Sequence, residues 1–376
     1  MTGHIPGTTV LRRTHLATAQ QGLGSNHVGL RAANERLVLS LIRTHGPLSK
    51  AQIAELSGLT AQTASVIARS LVEAGLLLVG APVRGRIGQP YVPMSLNPDG
   101  AMFFGMHVED AEARLALVNF TGSVIAERIL SLTTSDIGEI VGFAREAILT
   151  FRHDFDAEQW SRVQGLGISL SRARSDRANL PWQEIESRFF DFGQSMGLAT
   201  YVSSDAVSAC SAELIYGHGV GLTDFLYVFI DHSISGGLVQ NGRIRFSRDD
   251  TGPNIGQFLV ATAACDLVPL RSLAYIGRGS NPSPELIRTL ARNVGYAAHS
   301  ASSVVDYEAV IVDGNLPQDM LHMLAAELRS TLLDLSGGNG PMVSEGSLGR
   351  KGAALGAACL PLADRFFPEG SMTPIY

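Results

Sequence analysis

Residues 49–75 read SKAQIAELSGLTAQTASVIARSLVEAG, and their punctuation divides them into two short helices. Ser49 with Gln52 three positions on is a capping box: the hydroxyl accepts from one orphan backbone N–H and the amide reaches back to another. Gly58 ends that helix, since glycine enters the left-handed region without a Cβ penalty. Thr60 caps the next helix, in which Ala64, Ile67, Leu71 and Ala74 form one apolar stripe before Gly75. Two helices joined by a turn of three to four residues containing glycine form a helix-turn-helix, whose second helix lies in the major groove of DNA. Off the stripe stand Gln62, Thr63, Ser65 and Arg69. Glutamine pairs bidentately with adenine, threonine and serine reach bases or phosphates, and Arg69 is placed to hold the phosphate backbone.

Upstream, Leu37, Val38, Leu41 and Ile42 recur at helical spacing after Asn34, the expected N-cap, and Gly46-Pro47 closes the pattern. Residues 1–30 are rich in Gly, Thr, Gln and His without periodicity and are expected to form a flexible tail. Downstream, Leu76–Val79, the tip GAPVRGRIGQP (80–90) and Tyr91–Leu96 read as strand, tip and strand. This is a wing, with Arg84 and Arg86 placed to enter a minor groove or track phosphates. Residues 31–98 therefore read as a winged-helix DNA-binding domain, with Asn97-Pro-Asp-Gly100 as linker. A winged helix can also serve only as a protein–protein module. Charge favours DNA: residues 1–100 hold 9 Lys+Arg against 4 Asp+Glu, net +5, while residues 101–376 carry −11.

At 376 residues the chain has room for two or three domains, and 45% hydrophobic with 17% charged residues suits folded, water-soluble cores. No apolar run is long enough to span a bilayer, and the Met1 segment has no secretion-type apolar region, so a cytoplasmic location is expected. Cys210, Cys265 and Cys359 are far apart and odd in number, which suits buried apolar residues rather than disulfides or a metal cluster.

From 103 onward short apolar strands alternate with helices. Strands are expected at 103–108, 114–119, 124–130 and 163–170, with a helix at 137–153. A second series follows: strand 198–203, helix 205–216, strands 225–231 and 236–240, helices through 256–275 and 283–298, strand 308–313, and helices at 317–335 and 347–362. Antiparallel hairpins opening a βαβ series, twice over, imply a duplicated α/β fold with a ligand-sized cleft between its halves.

Several short runs, in this order, carry a family resemblance. They are Leu48-Ser-Lys-Ala-Gln-Ile-Ala-Glu-Leu-Ser-Gly-Leu-Thr60, Leu71-Val-Glu-Ala-Gly-Leu76, Gly165-Leu-Gly-Ile-Ser169, Ser204-Asp-Ala206, Gly236-Gly237 with Asn241-Gly242, Ile255-Gly256, Asp313-Gly314 and Ser347-Leu-Gly-Arg-Lys-Gly-Ala353. Together, from Asn34 to about Phe367, the chain resembles the ROK family (repressor, open reading frame, kinase), in its transcriptional-regulator branch. The resemblance implies an N-terminal winged helix followed by an actin-like sugar-kinase body in two lobes, residues 99–376.

Phosphoryl transfer needs glycine-rich turns that bring backbone N–H groups to the phosphates, and a carboxylate to take the hydroxyl proton. Where kinases of the family carry Asp-x-Gly-Gly-Thr, this chain has His107-Val-Glu-Asp-Ala111. Glu109, Asp110 and Glu112 put negative charge where a polyanion would sit, and like charges about 4 Å apart repel by a few kcal/mol. The second phosphate loop aligns with Asp231-His-Ser-Ile-Ser-Gly-Gly237, keeping only its last glycines. Ser204-Asp205 stands where the family has Asn-Asp, so Asp205 is the one intact candidate for the base, although it is also well placed to cap a helix.

The family's sugar-binding Glu and zinc-binding His align with Asn254 and Gln257, and Leu273 falls near a further sugar-binding Glu. Cys265 is the only thiol where a zinc-binding cysteine cluster is expected. The resemblance, thus amended, implies a regulator without catalytic residues, zinc or cofactor. Its partners would be a double-stranded DNA operator and a sugar or sugar-phosphate effector held by Ser204, Asp205 and Asn254, and it would act as a homodimer or dimer of dimers without a membrane. Two alternatives stay open: a sugar kinase with an appended winged helix, and an effector-independent architectural protein.

Overall fold

The computed structural model describes residues 25–84, 91–109, 111–133, 136–171, 180–231, 233–245, 255–261, 266–273, 283–349 and 352–368. The head consists of α1 (Ser25–His45), α2 (Lys50–Ser57), α3 (Ala61–Glu73) and the hairpin β1 (Leu77–Val79) with β2 (Met94–Leu96). Leu48 bridges to Met94 and lays a third segment of chain alongside β2. The caps are those the sequence encodes: Ser49 and Gln52 complete the box, Gly58 is left-handed at φ 70°, and Thr60 Oγ1 accepts from Thr63 N. Helix α1 differs. It runs straight through Asn34 and takes in the end of the expected tail, because Arg31 and Glu35 pair one turn apart at 3.0 Å and continue the helix N-terminally.

The body repeats one topology. In the first lobe β3 (Met102–Val108), β4 (Glu112–Asn119) and β5 (Val124–Ser131) form an antiparallel meander, and β6 (Val163–Leu170) and β7 (Thr200–Ser204) add in parallel, giving the order β5-β4-β3-β6-β7. Helices α4 (Ile137–Asp154) and α6 (Trp182–Met196) cover one face through Ile140, Ile148, Phe189 and Phe192, with the short α5 (Ala157–Ser161) leading into β6. The second lobe has β8 (Phe225–Ile230), β9 (Ile234–Gln240) and β10 (Arg243–Arg245), a small hairpin of β11 (Leu259–Ala261) and β12 (Leu267–Pro269), then β13 (Ala309–Gly314) and β14 (Met342–Glu345). Its sheet order, β10-β9-β8-β13-β14, matches that of the first lobe. The expected helix through 256–275 is instead two 3₁₀ turns flanking the β11–β12 hairpin. Helices α8 (Pro284–Ser302) and α9 (Gln318–Leu335) pack on β8 and β13.

Between the lobes lie α7 (Asp205–Tyr216) and α10 (Gly352–Phe366), packed against each other. Nearly all of α10 is buried, and its Gly/Ala-rich sequence is what permits this. A Cβ on Gly167 would collide with the Ala357 carbonyl, and one on Gly105 with that of Ala354, so α10 lies backbone to backbone on the first sheet. Head and body share one core: Val38, Leu39 and Ile42 of α1 join Phe103, Phe120, Ile215 and Leu362 in a continuous buried cluster. Asn97-Pro-Asp-Gly100 is accordingly a 3₁₀ turn rather than a loose linker, and Asn97 Nδ2 donates to the Gly75 carbonyl at 2.6 Å. Among the described residues, no helix is long and apolar enough to cross a membrane.

Candidate nucleic-acid interface and cleft

Burial sorts the residues of α3 by face. Ala64, Ile67, Ala68 and Leu71 point inward, while Gln62, Val66 and Arg69 face solvent at i, i+4 and i+7. Thr63 and Ser65 are half-buried, and Thr63 Oγ1 lies 2.9 Å from Thr60 Oγ1 within the cap. Thr63 is thus tied to the helix end, which leaves Gln62 and Arg69 as the freer polar groups of the face. Beside them is a concavity of about 540 Å³ lined by Ser49, Lys50, Arg69, Val72, Tyr91 and Met94, among others. Lys50 at the start of α2 and Tyr91 at the base of the wing were not singled out from the sequence, although a lysine at N1 beside a cap is a readable phosphate signal. Arg84 is exposed. Arg86 lies outside the described residues.

The head is seated on the body by an arginine in an aromatic cage. The Arg43 guanidinium lies 5.0 Å from the Phe120 ring centroid, 5.4 Å from Tyr216 and 5.5 Å from Phe367. Its Nη1 donates to the Phe120 carbonyl at 3.1 Å, whereas the buried Nη2 has no hydrogen-bond acceptor among the described residues. Burial pushes the Tyr216 phenol well above its ordinary value and keeps it neutral, with the nearby Arg43 pulling the other way.

In the first lobe the C-terminal ends of β3, β6 and β7 bring polar residues into register: His107 beside Ser169 beside Ser203, and Val108 beside Leu170 beside Ser204. This is the edge at which parallel sheets present ligands. His107 Nδ1 is 3.1 Å from Ser169 Oγ, and its Nε2 is 3.5 Å from Glu109 Oε1. Ser204, not Asp205, is the N-cap of α7, its hydroxyl accepting from Val207 N. Asp205 is the first helical residue, 9% exposed, and accepts from Ala206 N at 2.8 Å. Asn254 and Asp110 lie outside the described residues.

The hairpin tip corrects one expectation. Glu112 pairs with Arg114 at 2.7 Å and Arg114 also holds Glu127 at 2.7 Å, so the negative charge of Glu112 in this loop is partly compensated. At the second loop β8 turns tightly into β9, with Asp231 N bonded to Ser233 O at 3.1 Å. Gly236 and Gly237 lie within β9, where a Cβ would strike the Tyr227 carbonyl and the Cys210 side chain. Their missing side chains let β9 pack closely on β8 and α7.

Two buried carboxylates carry contacts that the sequence did not reveal. Glu213 of α7 accepts from Ser347 N at 2.6 Å, Leu348 N at 3.0 Å and His218 N at 2.8 Å, and so clasps the segment leading into α10. Asp313, fully buried, accepts from Gly314 N at 2.7 Å and from Tyr227 Oη at 3.0 Å. Burial first, and then the negative charge of Glu213, raises its pKa to about 6. Cys210 and Cys359 are buried as read, with thiols pushed up by burial; Cys265 lies outside the described residues. Among the described residues no three His, Cys, Asp or Glu side chains are grouped to hold a metal.

Comparison with known proteins finds similarity over both the head and the body. Residues 29–87 match the model of the MarR family. An uncharacterized protein, y4fQ of Sinorhizobium fredii, is 24% identical over 89% of this chain and 92% of its own. The DNA-binding transcriptional repressor Mlc of Escherichia coli is 22% identical over 60% of this chain and 58% of its own. Among solved structures, a ROK family transcriptional regulator homologous to Mlc superposes with a TM-score of 0.68 at 18% identity, over 90% of this chain and 98% of that one.

Proposed function

We infer that this chain, a ROK regulator in the order and fold of its head and body, is a DNA-binding transcriptional regulator, of the repressor type and located in the cytoplasm. The observation that carries this is the face of α3: a capped helix presents Gln62 and Arg69 to solvent beside the exposed Arg84 of the wing, on a net-basic head. Gln62 reads a base edge, Ser65 and Thr63 assist at the groove wall, and Arg69, Arg84 and Arg86 hold phosphates or a minor groove. A homodimer, or a dimer of dimers, places two heads on two half-sites about one or two helical turns apart. The body is non-catalytic. It serves oligomerisation and senses a carbohydrate effector through Ser204, Asp205 and Asn254.

An effector acts only by its differential affinity for two head arrangements. Gel shift across a salt series tests the DNA reading: in R69A/R84A the slope of log K against log salt falls by about 2, and an unchanged slope refutes the assignment. The kinase reading keeps one supporting observation, Asp205 at the C-terminal edge of the sheet with the cap supplied by Ser204 instead. A coupled ATP assay over a sugar panel, with turnover abolished in Asp205→Asn, would establish the kinase.

A further inference from the structure

The polar contacts of the recognition helix leave one exposed residue without a task. Val66 is 56% exposed, one turn beyond Gln62 and just before Arg69 on the same solvent face. α3 packs on α1, α2 and β1 through Ala64, Ile67, Ala68 and Leu71, so Val66 takes no part in the head's core. Valine suits an exposed helical site poorly: its β-branch freezes χ1 and lowers helix propensity, and its methyls face water. The polar residues flanking it on this face make it the one apolar element there.

We propose that Val66 is a specificity residue that reads the C5 methyl of a thymine. This rests on the DNA-binding reading above and names what that site recognises. In the major groove thymine alone presents a methyl group, and small apolar side chains are the groups that contact it. Four residues, just over one helical turn, separate Val66 from Gln62, about 6 Å along the axis against about 3.4 Å per base step. The thymine therefore lies within about two base pairs of the adenine paired by Gln62.

The test begins with an operator selected by the full-length protein from a random duplex pool. Each thymine of that operator is then replaced singly by uracil, which removes only the methyl. Burying one such group corresponds to about a fourfold change in affinity. One thymine per half-site is expected to show about this loss with the wild type and none with Val66→Ala, while Val66→Thr, which keeps one methyl, retains part of it. Val66→Ala should also weaken the thymine operator by a similar factor without changing the salt slope, because no phosphate contact is touched. An operator on which no uracil penalty depends on residue 66 overturns the assignment of Val66 and leaves the regulator intact. A chain that selects no duplex overturns both.

Discussion

Replacing Arg43 with methionine keeps the length and apolar stem of the side chain but removes the charge from its aromatic cage. Each cation–π contact in a desolvated setting is worth up to about 2 kcal/mol, and the three rings share one cation, so their contributions do not add. The charged hydrogen bond to the Phe120 carbonyl adds about 1.5–3 kcal/mol, and the buried Nη2 without an acceptor offsets about 1–3 kcal/mol. At mid-range values the balance is about 2–3 kcal/mol of head docking lost in Arg43→Met. Amide hydrogen exchange read by mass spectrometry resolves where that loss falls. Peptides of α1 and α3 should exchange about 30- to 150-fold faster, with β8, β13 and α9 unchanged. Unchanged exchange in α1 would mean that the apolar cluster alone seats the head. Equal acceleration in the second lobe would mean that head and body open as one unit.

Asp313 predicts a pH dependence. Its folded pKa of about 6 lies above its ordinary 3.8, so the native state binds the proton more tightly than the unfolded chain and stability falls as pH rises from about 4 to 6. Asp313→Asn should therefore raise the melting temperature at pH 8, by up to about 3 kcal/mol of stability, and change little at pH 4; an equal shift at both pH values would refute this. Gly167→Ala drives a methyl into the Ala357 carbonyl and should cost about 3 kcal/mol or more in urea unfolding. Gly142→Ala, inside α4 with nothing within 4 Å, should stabilise by about 0.5–1 kcal/mol in the same measurement. Ser49→Ala removes the N-cap of α2 and should cost about 1 kcal/mol.

How much of this could be read in advance depends on range. The caps at Ser49 and Thr60, the stripe on α3 and the full extent of α7 are local, and the sequence states them. The run from 256 to 275 misleads because short apolar stretches fit a helix and a strand equally well, and here β-branched Val260 and Val268 pair across a hairpin. Helix α6 was missed although Ile185, Phe189 and Phe192 fall on one helical face, a signal that was present. The partners of Glu213 and Asp313 were not legible, since Ser347 and Tyr227 lie 134 and 86 residues away and only the fold brings them together. The same holds for the cage, where Arg43 meets Phe120 at a separation of 77. At the end of β7, the pairing of Ser204 and Asp205 was legible but their division of labour was not, because which residue caps α7 depends on the backbone angle there.

The cluster that joins α1 to Phe103, Phe120, Ile215 and Leu362 sets a rule for anyone grafting this head onto another body. A chimaera joined at Asn97 would strand Val38, Leu39 and Ile42 against a foreign surface and leave Arg43 with no rings to rest on. The transplantable unit is therefore not residues 31–98. It must bring the end of α7, the Phe120 turn and the last turn of α10 with it, or find a recipient that already carries them.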